Sequence, residues 1–146
     1  MTMPHLMNCA HSDDSWCLAC VKALWERHNN IEVRPWGTYE VLLDAPDCKV
    51  KRIIVRAGQR LSLQRHEKRR EVWTCVSGGG TVTIGPELQH LRTEDFLPGR
   101  IQPIPLHYIH RVQADSSEDL VFIEVQLGTS FEEGDIERFE DDFGRT

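Results

Sequence analysis

An all-β fold, an antiparallel sandwich or barrel, is what this 146-residue sequence predicts. Two observations carry that expectation. Segments of four to eight residues rich in Val, Ile, Leu and Thr recur from Ile31 onward, and Gly- or Pro-containing turns separate them with no helical periodicity between.

The first thirty residues stand apart from this texture. Residues 1–16 show no period, and Cys17 to His28 reads as a short helix, with Leu18, Val21 and Trp25 on one stripe, Asp14 or Ser15 as its cap and Asn29-Asn30 as its stop. The strand-like segments then follow at Thr38–Leu43, Val50–Val55, Leu61–His66, Val72–Ser77, Thr81–Ile84, Leu88–Leu91, His107–Val112 and Leu120–Leu127. Turn chemistry at Ala45-Pro46-Asp47, Ala57-Gly58, Gly78-Gly79-Gly80, Gly85-Pro86 and Pro98-Gly99 separates several of them. Ser130 and Glu133 lie at capping-box spacing, so residues 130–142 read as a short C-terminal helix with an acidic surface. A seam near His28–Glu32 divides the chain into residues 1–30 and a main domain at 31–146.

Composition narrows the function classes. The net charge of −6 argues against a general nucleic-acid binder, but it averages unlike parts: −1 over residues 1–30, +4 over 31–111 and −9 over 112–146. The positive middle section suits a small anionic ligand, with a solvated Arg/Lys strand face as the competing reading. No run of about 18 apolar residues exists to span a membrane, and no signal-peptide stretch opens the chain, so a cytoplasmic protein without membrane contact is expected. Five cysteines cannot pair completely; Cys48 and Cys75 sit in apolar surroundings that suit packing. Cys9-x-His11 and Cys17-x-x-Cys20 offer three thiolates and one imidazole, enough for a closed structural zinc site, against reduced cysteines in a weakly ordered tail.

The densest chemistry lies between Leu61 and Trp73. In a strand, Gln64 and His66 share one face while Leu63 and Arg65 take the other. A hairpin folds Glu71 back over that face, and His110 comes from a later strand. This mixed N/O set suits zinc, manganese or another divalent ion, although each residue alone also fits a satisfied polar role at a barrel mouth.

Gln64-x-His66-x4-Glu71 with Pro105-x4-His110 resembles the two metal motifs of the cupin superfamily. From Arg34 to Arg145 the chain is similar to the C-terminal cupin domain of type II mannose-6-phosphate isomerases, often fused to a mannose-1-phosphate guanylyltransferase. Arg34-Pro-Trp-Gly-x-Tyr39, Leu61-Ser-Leu-Gln-x-His66, Arg69-x-Glu71-x-Trp73, Ile123-Glu-Val-Gln126-x-Gly128 and Asp135-Ile-x-Arg-Phe-Glu-Asp141 carry the likeness. It implies a double-stranded β-helix, or jelly-roll barrel, with a metal at Gln64, His66, Glu71 and His110. It also implies interconversion of mannose 6-phosphate and fructose 6-phosphate through an enediol, in polysaccharide or nucleotide-sugar metabolism.

Arg69 matches the family's arginine and is expected to meet the phosphate. Lys51 is a second catalytic candidate, Arg52 and Trp73 are candidates for substrate binding, and the base that takes the C2 proton is one of Glu67, His107 and Lys51. Arg65, Glu67, Lys68, Val72 and His107 depart from the family pattern around the ligands. Those departures favour a rival reading as a non-catalytic sugar-phosphate or nucleotide-sugar binding cupin, tethered to a partner by the zinc segment. An iron oxygenase is disfavoured by Gln64 in a ligand place. The length leaves no room for a guanylyltransferase domain, and a homodimer is compatible with a cupin of this size.

Overall fold

The computed structural model describes residues 30–145. The expected helix at Cys17–His28 and the cluster Cys9, His11, Cys17 and Cys20 lie outside the described residues. Among the described residues, eleven strands form two sheets. In chain order they are β1 (Ile31–Arg34), β2 (Gly37–Asp44), β3 (Cys48–Val55), β4 (Leu63–His66), β5 (Arg69–Ser77) and β6 (Gly80–Gly85). β7 (Arg92–Phe96), β8 (Ile101–Ile104), β9 (Ile109–Ala114), β10 (Leu120–Gly128) and β11 (Ile136–Glu140) complete them. One sheet has the order β1-β2-β3-β10-β5-β8 and the other β11-β4-β9-β6-β7. The expected all-β architecture is what these residues form, and among them no helix is long and apolar enough to cross a membrane.

Period-two alternation supplies the core. β10 sends Leu120, Phe122, Glu124 and Gln126 inward, and β5 sends Arg69, Glu71, Trp73 and Cys75 inward. The apolar members join Ile53, Val55, Val82, Ile84, Phe96, Ile104 and Val112 in one cluster. The polar members gather at the other end of the same strands, which is where the site forms. Cys75 packs in this core as expected, and Cys48 is half-buried at the start of β3.

Two expectations need correction. Leu88–Leu91 is not a strand: Leu88–His90 is a 3-10 turn with nothing buried, because the β6–β7 hairpin resumes pairing only at Arg92, opposite Ile84. β8 contains Pro103, which suits its place as the edge strand of its sheet, where no partner needs the missing N–H.

The second concerns residues 130–142, which form no α-helix. Glu133–Asp135 is a single 3-10 turn whose N-cap is Glu132 without a side-chain cap bond, and the chain then pairs as β11 with the open edge of β4. Ion pairs between strands of this one sheet reinforce that choice, Arg65 to Glu137 at 2.6 Å and Arg111 to Glu140 at 3.1 Å.

The last residues are also held by carboxylates. Arg145 binds both oxygens of Asp141, and Arg60 binds both of Asp142 at 2.8 Å. These guanidinium groups hold both carboxyls below the usual aspartate range. A folded carboxyl depressed in this way stabilises the protein above about pH 4, and the contribution is lost as pH falls through the folded value. Asp141→Asn is therefore expected to melt lower than wild type at pH 7, with a smaller gap at pH 3. Melting curves at the two pH values check this, and a gap independent of pH would refute it.

Candidate metal centre

Three strands from the two sheets converge on the site. β4 supplies Gln64 and His66, β5 supplies Arg69 and Glu71, and β9 supplies His110, which lies directly opposite Gln64 in the β4–β9 register. His66, Glu71 and His110 are all buried, and one donor atom from each lies within 4.8 Å of the others. His66 Nε2 approaches Glu71 Oε1 at 3.1 Å without the alignment of a hydrogen bond, and His110 Nε2 stands 3.6 Å from Glu71 Oε2. The two imidazole centroids are 5.1 Å apart.

The donor set fits a divalent cation on an observation independent of spacing. Both nitrogens of His66 and Nε2 of His110 are buried without a hydrogen-bond partner, a costly arrangement for polar atoms. His110 Nδ1 lies 2.9 Å from the Tyr108 carbonyl, which fixes the tautomer with the proton on Nδ1 and leaves the Nε2 lone pair toward Glu71. Burial pushes His110 down to about 4, against the opposing pull of Glu71, so the ring is neutral at physiological pH and free to ligate.

Around Glu71 lies a second buried carboxyl group, Glu124. Trp73 Nε1 donates to Glu71 Oε2 at 3.0 Å and reaches Glu124 Oε1 at 3.3 Å. Gln126 Nε2 donates to Glu124 Oε2 at 3.0 Å and reaches Glu71 Oε1 at 3.4 Å, where Arg69 Nε also stands at 3.4 Å. Burial alone would raise Glu71, but the facing His66 and His110 outweigh it and hold this carboxyl well below the usual range. Burial, together with the Glu71 charge, pushes Glu124 up to about 8. The pair thus divides into an ionised Glu71 and a protonated Glu124 at neutral pH.

Gln64, Arg69, Glu71, Glu124 and Gln126 open onto a cleft of about 580 Å³. Lys51 joins them from β3, its Nζ 4.3 Å from the centroid of the Tyr39 ring. Arg52 alternates to the opposite face and does not line the cleft. Trp73 is also absent from the lining; it is buried against Phe96 and Phe122, and its indole N–H orients the two carboxyl groups.

Arg65 and Val72, two of the departures from the family pattern, alternate away from His66 and Glu71. Glu67 and His107 face each other at 3.3 Å, both exposed, with His107 at a φ of 67° that side-chain-bearing residues adopt infrequently. Ser62 Oγ donates to Gln64 Oε1 at 2.7 Å and thereby sets the orientation of that amide.

Glu124, Gln126, Ser62, Arg138 and Arg145 escape a search for metal ligands. The first two nevertheless carry a signal, since period two puts them on the face of Leu120 and Phe122.

Residues 22–141 match the family described as mannose-6-phosphate isomerase C-terminal. The xanthan biosynthesis protein XanB of Xanthomonas campestris is 42% identical over 125 residues, which are 86% of this chain and 25% of that protein. The alginate biosynthesis protein AlgA of Pseudomonas aeruginosa is 42% identical over 122 residues, 83% of this chain and 24% of that one. The mannose-1-phosphate guanylyltransferase ManC of Salmonella typhimurium is 39% identical over 121 residues, 82% and 24% of the two chains. The chain thus spans about a quarter of the length of these relatives. Two solved structures share the fold. The capsular polysaccharide assembling protein CapF of Staphylococcus aureus has a TM-score of 0.66 and 19% identity, covering 76% of this chain and 34% of that one. The oxalate decarboxylase of Bacillus subtilis has a TM-score of 0.67 and 20% identity, covering 80% and 31%.

Proposed function

The chain belongs to the mannose-6-phosphate isomerase C-terminal family, the cupin domain of polysaccharide and nucleotide-sugar biosynthesis proteins, and from that premise we propose that it interconverts mannose 6-phosphate and fructose 6-phosphate. The observation that supports this reading is the buried His66, Glu71 and His110 triad, with its unpartnered nitrogens, behind a cleft lined by cations. These three residues and Gln64 would hold a divalent ion, which would supply Lewis-acid polarisation of the sugar's oxygens.

The isomerisation moves a proton between C2 and C1 through an enediol, so a base must stand within reach of the bound sugar. Of Glu67, His107 and Lys51, only Lys51 lines the cleft, opposite Glu124 in the β3–β10 register. In the proposed mechanism Lys51 exchanges the C2 proton. Arg69 holds Glu71 in place and adds positive charge to the wall that faces the ligand. We also propose that Cys9, His11, Cys17 and Cys20 hold a structural zinc in the segment 1–30, which elemental analysis of a Cys17→Ala/Cys20→Ala variant tests.

The isomerase reading is tested by incubating the metal-loaded protein with mannose 6-phosphate in deuterated water. Deuterium is expected at C2 of recovered mannose 6-phosphate and at C1 of fructose 6-phosphate, and Lys51→Met is expected to slow its appearance at least about a hundredfold. Saturable sugar-phosphate binding with no exchange would replace this reading with that of a binding module.

A further inference from the structure

Five cationic side chains line the cleft, and they are engaged to different degrees. Arg145 is held by both oxygens of Asp141, and Arg69 by Glu71 and the Glu132 carbonyl. Arg34 meets Glu32 at 2.7 Å and donates to the Tyr39 hydroxyl at 3.1 Å. Lys51 rests on the Tyr39 ring. Arg138 differs from all four. Its Nε is buried with no hydrogen-bond partner, and among the described residues its guanidinium meets a carboxylate only at Glu133, with Nη2 at 3.4 Å.

The same Glu133 stands 3.5 Å from Arg34, so one carboxylate lies at long range between two guanidinium groups. Its side chain is 60% exposed and sits on the 3-10 turn Glu133–Asp135, which leaves it free to turn outward. Arg138 itself is directly opposite Gln64 in the β11–β4 register. Residues so paired share a face of the sheet, which sets this guanidinium beside the metal-facing wall of the cleft.

A buried guanidinium N–H without an acceptor is costly, and a group presenting several anionic oxygens relieves that cost more fully than a single distant carboxylate. We propose that Arg138 binds the phosphate of the ligand, and that Glu133 is a resident stand-in for that phosphate, displaced when the ligand enters. The assignment rests on the sugar-phosphate reading and deepens it by naming the anion subsite and its built-in competitor. It places recognition of the phosphate on the C-terminal strand, whereas the sequence pattern points to Arg69.

The test is calorimetric titration of the full chain, wild type and variants, with mannose 6-phosphate and with inorganic phosphate. Arg138→Gln is expected to weaken both anions about tenfold or more, the scale of a lost charge-assisted contact, and Arg138→Lys to recover part of the loss. Glu133→Gln is expected to act in the opposite direction and strengthen both about threefold or more.

Opposite signs are the diagnostic result, because a purely structural Arg138–Glu133 pair would weaken binding whichever partner is removed. Unchanged affinity in Arg138→Gln, weaker binding in Glu133→Gln, or a wild type that binds neither anion would overturn the assignment. Inorganic phosphate binding with the expected dependence, but no binding of mannose 6-phosphate, would uphold the subsite and discard the sugar. Melting curves report whether each variant folds, and if Arg138→Gln does not, the sign of the Glu133→Gln effect decides alone.

Discussion

His66→Ala is expected to strip the barrel of its divalent ion, weakening metal affinity by more than about a hundredfold. Changes to groups that merely orient a ligand cost about 10- to 100-fold, and removing a ligand itself exceeds that. The effect is large because His66 is buried with both ring nitrogens unpartnered, so no other protein group takes its place beside Glu71 and His110.

Two measurements read the result. Elemental analysis should find metal in wild type and a marked loss in the variant. Added zinc or manganese at a hundred times its Kd should stabilise wild type by about 2.7 kcal/mol through mass action and leave the variant's melting temperature nearly unchanged. A wild type without a metal-dependent shift, or a variant that keeps one, would remove the basis for a metal centre at these residues.

Phe122→Ala is expected to have the largest effect on stability, a loss of about 3–5 kcal/mol measured by denaturant unfolding. Phe122 is completely buried at the centre of the core, its ring centroid 5.1 Å from Trp73 and 5.8 Å from Phe96. The cavity left behind lies directly beneath Trp73, whose indole N–H holds Glu71 and approaches Glu124. The same variant should therefore bind metal less tightly than wild type although it lacks no ligand. A loss of less than about 1 kcal/mol would show that the rings around the gap collapse into it.

Local sequence signals were sufficient to single out His66, Glu71 and His110, which the fold brings together, and insufficient for the wall facing them. Strand alternation from Gln64 to His66 needs only short-range information, but the expected hairpin does not form: β4 and β5 lie in different sheets, and the short turn between them carries Glu71 across to face His66. The inward face of β10 was equally available from alternation, but Glu124 and Gln126 share it with Leu120 and Phe122, and only burial reveals them as partners of Glu71.

Residues 130–142 illustrate the opposite case. Ser130 and Glu133 have helix-initiating spacing, yet what decides the conformation is the unpaired edge of β4, about seventy residues earlier, and no local pattern reports it. Arg138 follows from that pairing and could not be placed without it. Trp73 was ambiguous for a different reason: an aromatic side chain suits both a sugar face and a core, and only its contacts with Phe96 and Phe122 decide between them.

The position of β10 has a kinetic consequence. It is the tenth strand in the chain yet lies between β3 and β5 in the six-stranded sheet, so both wait for residues 120–128 before their facing edges are paired. Most of the barrel must already be synthesised when its central strand arrives, and the Leu120–Val55 pairing closes a long loop. Such distant pairings cost loop-closure entropy before any contact repays it, which places this domain among slowly folding β-proteins, on the scale of milliseconds to seconds. Until β10 inserts, β3 and β5 present open edges to other chains, and Glu71 lacks the Gln126 amide that helps to hold it.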